Sequence, residues 1–323
     1  MKILNWISAT LDDAVPLADL FREAESSTPV GLDQRPESVH LRLATLGPDL
    51  ARHTLVGVAD DGAVAAYAEV ADMGEADGVR RLRLTAVAHP ELSGDVRAEL
   101  HRWLIERAEQ LRRAGGTAPA AVLGTRCAEN DGAWRRLLIE DGFSLVRHER
   151  DLVLAVPELP PAVGLPPGLV LEPVDERYEE LARLAHNEAY AESQAAVRPD
   201  QRTWPQHAIA HPRFLPDLSC LLLAEVDRAD NPVAAFLFAL ADESADEPTA
   251  VLHCLGTRAP WRRRGLATAM IVRALHQARS SGFRRVRLQV SDTNHPALAL
   301  YRGLGFAESG RGYAVLMRQL AAE

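Results

Sequence analysis

The chain contains an internal repeat, and this repeat constrains its fold more than any other feature. Residues 60–71 read DDGAVAAYAEVA, and residues 230–241 read DNPVAAFLFALA. In each stretch a turn signal, D-D-G or D-N-P, precedes an apolar run, a pattern typical of a hairpin that leads into a strand. Because both stretches carry it, the sequence predicts two domains of similar fold.

The order of predicted elements is the same in both halves. Each half begins with a strand and an amphipathic helix, continues through the hairpin and a further strand, and then alternates helix, strand, helix and strand. Residues 157–168, PELPPAVGLPPG, lie between the halves, and proline at this density predicts a stiff, extended linker. We therefore expect an α/β (α+β) fold of two tandem domains, residues 1–156 and residues 169–323.

Charge and hydropathy exclude several functions. Lysine and arginine total 36 against 45 aspartates and glutamates, which gives a net charge of −9. Binding to nucleic acid or to an anionic membrane needs a basic face, and this chain is a poor candidate for either. No apolar run is long enough to cross a bilayer, and the N-terminus, MKILNWISATLDD, lacks the features of a signal peptide. We therefore expect a cytoplasmic protein.

The cysteines indicate neither disulfides nor a metal centre. Cys127, Cys220 and Cys254 are odd in number, and no two of them have C-x-x-C spacing. Free cysteines are usually buried packing residues. We expect no metal cofactor.

One strand-to-helix connection in the second half predicts an anion site. Residues 257–268 read TRAPWRRRGLAT. The first N–H groups of a helix attract anions, and Gly265 would let a phosphate approach the backbone closely. Positive charge comes from Arg262, Arg263 and Arg264. The segment therefore predicts a phosphate or pyrophosphate site, although it matches neither the P-loop nor the G-x-G-x-x-G fingerprint.

A second motif follows in residues 294–306, NHPALALYRGLGF. Together the two motifs resemble the GNAT superfamily of acyl-CoA-dependent N-acetyltransferases. The pattern R-x-x-G-x-A at residues 262–267 is similar to the pyrophosphate loop of that family, and N…Y…G-F at residues 294–306 is similar to its second signature. The resemblance implies a mixed, mostly antiparallel sheet flanked by helices in each half. The tandem arrangement is similar to that of mycothiol synthase and its relatives.

The resemblance implies acetyl-CoA, or another acyl-CoA, as co-substrate. Loop amides would bind the pyrophosphate, the preceding strand end would pair with the pantetheine arm like an added strand, and an asparagine would contact the same arm. The residues assigned to the cofactor are Leu255, Gly256, Thr257, Arg262, Arg263, Arg264, Gly265, Leu266, Ala267, Thr268 and Asn294.

The resemblance also implies direct attack of a neutral amine on the thioester. Tyr301 would protonate the departing thiolate, and a tyrosine, with a reference pKa of about 10, suits this role because it keeps its proton at neutral pH. Its alternative role is packing under the Gly-Phe turn. His253, on the strand before the loop, is the candidate base, and its alternative role is that of a core histidine. Strand alternation predicts that His253 shares a face with Leu255 and Thr257.

The first half resembles a degenerate copy of the same domain. In its loop, residues 89–98, Ser93 stands where the arginine is expected and Val96 where the glycine is expected. A branched side chain would hinder a phosphate there, and Asp95 would repel it. Leu138 takes the position of the tyrosine. We expect this domain to support the fold without catalysing.

The acceptor stays open at this stage. The helical segment 186–192, HNEAYAE, is expected to line the acceptor side. A small-molecule amine is the expected acceptor: an aminoglycoside, a polyamine, an amino-sugar thiol precursor or an N-terminal peptide amine. Two alternatives are a non-catalytic CoA-binding sensor and an acyltransferase whose donor is carried by a protein. Two tandem halves already form a pseudo-dimer, which favours a monomer.

Overall fold

The structure, a computed structural model, describes residues 4–29, 31–76, 78–92, 94–114, 119–156, 159–191, 199–201, 203–204, 209–224, 231–242 and 245–322. The chain forms two compact units. Unit 1 comprises Met1–Glu149 and Arg311–Glu323, and unit 2 comprises Arg150–Gly310.

The predicted order of elements is present in both halves of the chain. The first half contains β1 (Leu4–Ile7), α1 (Ala14–Ser27), α2 (Pro36–Thr45), α3 (Leu50–His53), β2 (Thr54–Ala59), β3 (Val64–Ala76), β4 (Val79–Ala88), α4 (Gly94–Arg113), β5 (Ala121–Ala128), α5 (Gly132–Glu140) and β6 (Ser144–Ala155). The second half contains β7 (Leu169–Glu172), α6 (Glu179–Ala189), β8 (Cys220–Ala224), β9 (Val233–Asp242), β10 (Thr249–Thr257), α7 (Leu266–Ser280), β11 (Arg285–Ser291), α8 (His295–Gly303) and β12 (Ala307–Leu320).

Each unit has a mixed, mostly antiparallel sheet, as predicted. The strand order is β1-β2-β3-β4-β5-β12 in unit 1 and β6-β11-β10-β9-β8-β7 in unit 2. One central pair in each unit is parallel, β4 with β5 and β10 with β11. A helix joins each parallel pair, α4 in unit 1 and α7 in unit 2, because parallel strands need a long crossover connection.

Helices cover both faces of each sheet because successive strand residues point to opposite sides. In β3, Ala66 and Ala68 pack with α4 and α5, whereas Tyr67 packs with α1 and α2. In β9, Leu237 packs with α7, whereas Phe236 packs with α6. The repeated motif of the two halves therefore fills the same structural position, an apolar central strand buried on both faces.

The compact units differ from the predicted domain boundaries at two strands. Tyr313–Leu320 of β12 pairs antiparallel with β5 in unit 1, whereas residues 150–155 of β6 lie next to β11 in unit 2. The predicted domains, 1–156 and 169–323, instead kept each strand with its own half. Both strands are apolar runs at the end of a half, so their pattern does not show which sheet they join.

The remaining expectations concern the linker, the cysteines and the membrane. Residues 157–158 of the predicted linker lie outside the described residues, and residues 159–166 form neither helix nor strand. The three cysteines are free and buried. In the part of the chain that the structure describes, no helix has the length and apolar character that a membrane crossing requires.

Candidate active site

The parallel strands β10 and β11 separate in the middle of the unit 2 sheet. Thr249–Leu252 of β10 pairs with Arg285–Leu288 of β11. β10 continues to Thr257 and β11 to Ser291, and no further pairing joins residues 253–257 to residues 289–291, all of which are described. The sheet therefore opens here and leaves an edge of β10 that an extended ligand can join as a strand does.

A β-bulge at His253 marks the point where the strands separate. The register of β10 against β9 shifts between Leu252 and Cys254, which makes His253 the extra residue. The bulge overturns the predicted alternation. Leu255 packs with the core under α7, whereas the His253 ring lies 6.5 Å from the ring of His211 and interacts with α6 on the opposite face.

Beyond the bulge, backbone amides of β10 point into the opening. The N–H of Arg258 donates to the carbonyl of Ala234 at 3.0 Å, and along an antiparallel pair the amides alternate in direction. Leu255 and Thr257 therefore direct their N–H and C=O groups away from β9. These two residues carry the backbone donors that face the opening.

Two side chains hold this strand end in place. The Tyr190 hydroxyl donates to the carbonyl of Leu255 at 2.9 Å. Arg262, predicted to hold the cofactor, donates from Nε to the carbonyl of Thr257 at 3.3 Å and from Nη2 to the carbonyl of Ala189 at 3.1 Å. In the structure its guanidinium therefore ties the end of α6 to the end of β10.

The predicted anion loop has an unusual backbone. Arg263 has φ of 63° and is the one non-glycine residue with positive φ in the described chain, and Gly265 follows with φ of 77°. Gly265 is the N-cap of α7, and its carbonyl accepts from Ala269 at 3.0 Å. The N–H groups of residues 266–268 consequently have no carbonyl acceptor within the helix. Donors of this kind, in a left-handed turn before a helix, are the arrangement that attracts anions.

The other loop arginines take different positions. The Arg264 guanidinium lies 4.9 Å from the Trp261 ring centre and donates to the carbonyl of Pro260 at 3.1 Å. Arg263 is exposed. Arg258 pairs with Glu188 at 2.6 Å. Backbone donors, and not the arginine cluster as a whole, therefore define this site.

Asn294 caps helix α8. Its side chain accepts from the N–H of Ala297 at 3.2 Å, which satisfies one of the unpaired donors at the helix start. The cap alone is a sufficient structural reason for an asparagine at position 294, and contact with the cofactor is a separate prediction.

Tyr301 is buried in α8. Its ring lies 6.0 Å from that of Phe306, and its carbonyl accepts from the Phe306 N–H at 3.0 Å, which is the packing proposed as its alternative role. Burial raises the pKa of Tyr301 to about 12. The hydroxyl therefore keeps its proton well above neutral pH, as a general acid requires.

The predicted acceptor segment places two ring side chains, His186 and Tyr190, against other aromatic rings; His186 is buried, whereas Glu188 and Ala191 are exposed. The His186 ring lies 4.6 Å from that of Tyr190 and 5.5 Å from that of Trp204, and burial lowers the pKa of His186 to about 4. Burial also raises the pKa of Tyr190, and the neighbouring Cys254 and Tyr301 raise it by smaller amounts. Glu192 lies outside the described residues.

His253 lies beside His211 and Arg213, two neighbours that sequence reasoning missed. The pKa of His253 is lowered to about 3, chiefly because the surrounding protein removes water from the ring, and then through smaller effects of His211, Arg213 and His186. Its side chain still reaches solvent. Nδ1 of His211 accepts from the N–H of Arg213 at 3.2 Å. Residues 211–213 belong to no repeated motif, so the sequence contained no signal that would bring them to β10.

Unit 1 has the same framework without these features. Asp131 caps α5 through the N–H of Trp134 at 3.0 Å, as Asn294 caps α8, and the carbonyl of Leu138 accepts from Phe143 as that of Tyr301 does from Phe306. Leu138 therefore does occupy the tyrosine position.

The loop of unit 1 differs from the sequence alignment by one residue. Ser93 lies outside the described residues. Val96 is buried in the core at the start of α4, as Leu266 is in α7, so the counterpart of Gly265 is Asp95. Asp95 lies in the first turn of α4, where it places a carboxylate at the helix N-terminus.

These features of unit 2 fit acyl-CoA. The opening offers the edge of β10 to an extended arm, and the start of α7 offers backbone donors to a pyrophosphate. A Cβ added at Gly265 would meet no atom within 4 Å, so the space in front of the loop is open to a phosphate.

The comparisons with known proteins agree with this geometry. Residues 178–306 match the acetyltransferase (GNAT) family. The chain is 29% identical to a mycothiol acetyltransferase of Actinosynnema mirum, over 95% of this chain and 97% of the relative. It is 30% identical to a mycothiol acetyltransferase of Kineococcus radiotolerans, over 77% of each chain.

A solved structure shares the fold of both halves. A tandem GNAT protein from the clavulanic acid biosynthesis pathway matches with a TM-score of 0.66 and 17% identity, over 98% of each chain. At this identity the likeness supports the fold alone.

Proposed function

Because the chain belongs to the GNAT family of acetyltransferases, we propose that unit 2 transfers an acetyl group from acetyl-CoA to the primary amine of a small molecule. The observation that carries this proposal is the opening between β10 and β11 with the donor loop at the start of α7. Unit 1 has a carboxylate and a leucine at the corresponding positions, so we assign it a supporting role without catalysis.

Different residues of unit 2 bind different parts of acetyl-CoA. The N–H groups of residues 266–268 hold the pyrophosphate, and Arg263 adds positive charge from solvent. The N–H groups of Leu255 and Thr257 pair with the pantetheine arm. Tyr190 and Arg262 keep this strand end in position through their bonds to its carbonyls. Asn294 acts through the cap that sets the start of α8.

Acetyl-CoA supplies the acyl group as an activated thioester. Tyr301 holds a proton for the departing thiolate, because its raised pKa keeps the hydroxyl neutral. His253 stays uncharged at neutral pH and can accept a hydrogen bond from the attacking amine. The positive charge of Arg213 near this position also favours a neutral amine over an ammonium ion.

The test of this function is an acceptor screen. Purified full-length protein is incubated with acetyl-CoA and one amine of each class, and both released CoA thiol and acetylated product are measured. The named relatives are mycothiol acetyltransferases, so an amino-sugar thiol precursor is tried first, followed by an aminoglycoside, a polyamine and a peptide N-terminus. We expect stoichiometric N-acetylation of at least one class.

Other outcomes separate the alternatives. Binding of acetyl-CoA with no product from any class would favour a CoA-binding sensor. Failure to bind acetyl-CoA or CoA would contradict the proposed function and favour a donor carried on a protein.

A further inference from the structure

A buried ion-pair group lies on the α2 face of the unit 1 sheet. Glu69 has 0% exposure and accepts two hydrogen bonds from Arg42, at 2.7 Å and 2.8 Å. The Tyr67 hydroxyl donates to the same carboxylate at 2.8 Å, and Arg83 lies 3.6 Å from it. Arg42 alone satisfies Glu69 with a two-pronged pair, so Arg83 is a second positive charge on a carboxylate already paired.

A second ion-pair group lies farther along the same unit. Glu149 pairs with Arg147 at 2.6 Å and with Arg126 at 3.5 Å. The Arg126 guanidinium lies 4.4 Å from the ring centre of Tyr313 and donates to the carbonyl of Gly31 at 2.6 Å. These contacts hold Arg126 in a fixed position before any ligand is present.

The sheet register places the two groups next to each other. Arg83 of β4 is directly opposite Gly124 of β5, and Arg126 lies two residues farther along β5, on the same face. A Cβ added at Gly124 would meet no atom within 4 Å. A space without a side chain therefore lies over the sheet between Arg83 and Arg126.

Two arginines flank this space, and one of them has a buried donor without an acceptor. Arg83 lies 3.6 Å from Glu69, and Arg126 lies 3.5 Å from Glu149. Nε of Arg83 is buried without a hydrogen-bond acceptor among the described residues, although the Arg83 side chain as a whole is 31% exposed. The pKa of Arg83 is lowered to about 10. Burial is the largest cause, and the positive charges of Arg42 and Arg126 add to it, whereas Glu69 acts in the opposite direction. A buried cationic donor without an acceptor is stabilised by an anion.

We propose that unit 1 binds a small oxyanion, a phosphate or carboxylate group, over Gly124 between Arg83 and Arg126. The guanidinium groups supply the directed donors that such anions prefer. This site is separate from the acyl-transfer residues of unit 2, so unit 1 is a ligand-binding domain as well as a support for the fold.

The test measures binding of inorganic phosphate and, separately, citrate to the full chain by calorimetry. The chain carries Gly265→Glu, which removes phosphate binding at the α7 loop. Two substitutions are then added one at a time, Arg83→Gln to remove the donor and Gly124→Leu to fill the space. Arg102→Gln, which removes an exposed charge on α4, is the control. Thermal unfolding checks that every variant is folded.

We expect saturable binding of phosphate or citrate that weakens about tenfold or more in Arg83→Gln and in Gly124→Leu, as loss of a charged hydrogen bond predicts. The control should bind as the parent does. Preference for one probe identifies the ligand as a phosphate or a carboxylate. Absence of binding by both probes, or equal affinity in all variants, would overturn the proposal. Arg83→Gln with Gly265 intact is expected to bind acetyl-CoA as the unsubstituted chain does. A negative result for the oxyanion site would therefore leave the proposed function of unit 2 untouched, and that function is tested separately by acetyl-CoA binding.

Discussion

Substitution of Gly265 by glutamate is expected to weaken acetyl-CoA binding by about a hundredfold or more. A carboxylate about 4 Å from a phosphate costs on the order of 4 kcal/mol at an effective dielectric of about 20, and each 1.4 kcal/mol is about tenfold in affinity. The φ of 77° at Gly265 adds backbone strain for any other residue. Calorimetric titration with acetyl-CoA measures the change.

The matched control is Gly282→Glu. Gly282 follows the other end of α7, has φ of 84° and, like Gly265, has no atom within 4 Å of an added Cβ. Both variants should therefore lose similar stability, of about 1–2 kcal/mol, and only Gly265→Glu should lose affinity. Equal affinity of the two variants would show that the α7 loop does not hold the pyrophosphate.

Substitution of Tyr301 by phenylalanine is expected to lower kcat by about 10²–10⁴-fold, the usual contribution of a general acid. The Phe ring keeps the contact with Phe306, so the KM for acetyl-CoA should change little. Tyr178→Phe, at the start of α6, is the control and should keep its activity. A drop in stability with kcat preserved would instead assign Tyr301 to packing alone.

The pH profile gives a second readout of Tyr301. An exposed tyrosine with a pKa of about 10 loses its proton as the pH rises toward 10, and a general acid would then fail. Burial raises the pKa of Tyr301 to about 12, so kcat should not fall between about pH 7 and pH 10. A fall in this range that is absent from Tyr301→Phe would show that Tyr301 loses its proton there, which would contradict the raised pKa while keeping Tyr301 as the acid.

The repeat allowed much of the fold to be predicted. The matched runs that begin at Val64 and Val233 both form central strands, and the element order is the same in both halves. The motif at residues 294–306 forms the predicted short helix before the Gly-Phe pair, because its spacing sets a helix cap, a buried tyrosine and a left-handed glycine. Local patterns of this kind depend on few residues, so they can be recognised in sequence.

Features that depend on distant contacts could not be predicted. The membership of β6 and β12 in the two sheets depends on pairing that a strand pattern does not specify. The bulge at His253 moved this side chain to the opposite face, and alternation cannot reveal an extra residue in a strand. Arg262 stays a predicted cofactor residue, but its bonds to the carbonyls of Ala189 and Thr257 join distant parts of the chain and could not be predicted.

We expect a single acyl-CoA site in the chain, in unit 2. The most direct test is the number of acetyl-CoA molecules bound per full-length chain, measured by calorimetry at saturating ligand. We expect one, because Asp95 and Leu138 replace the glycine and the tyrosine in unit 1. Two molecules per chain would contradict the assignment of unit 1 as a domain without an acyl-CoA site, and none would contradict the site at the α7 loop.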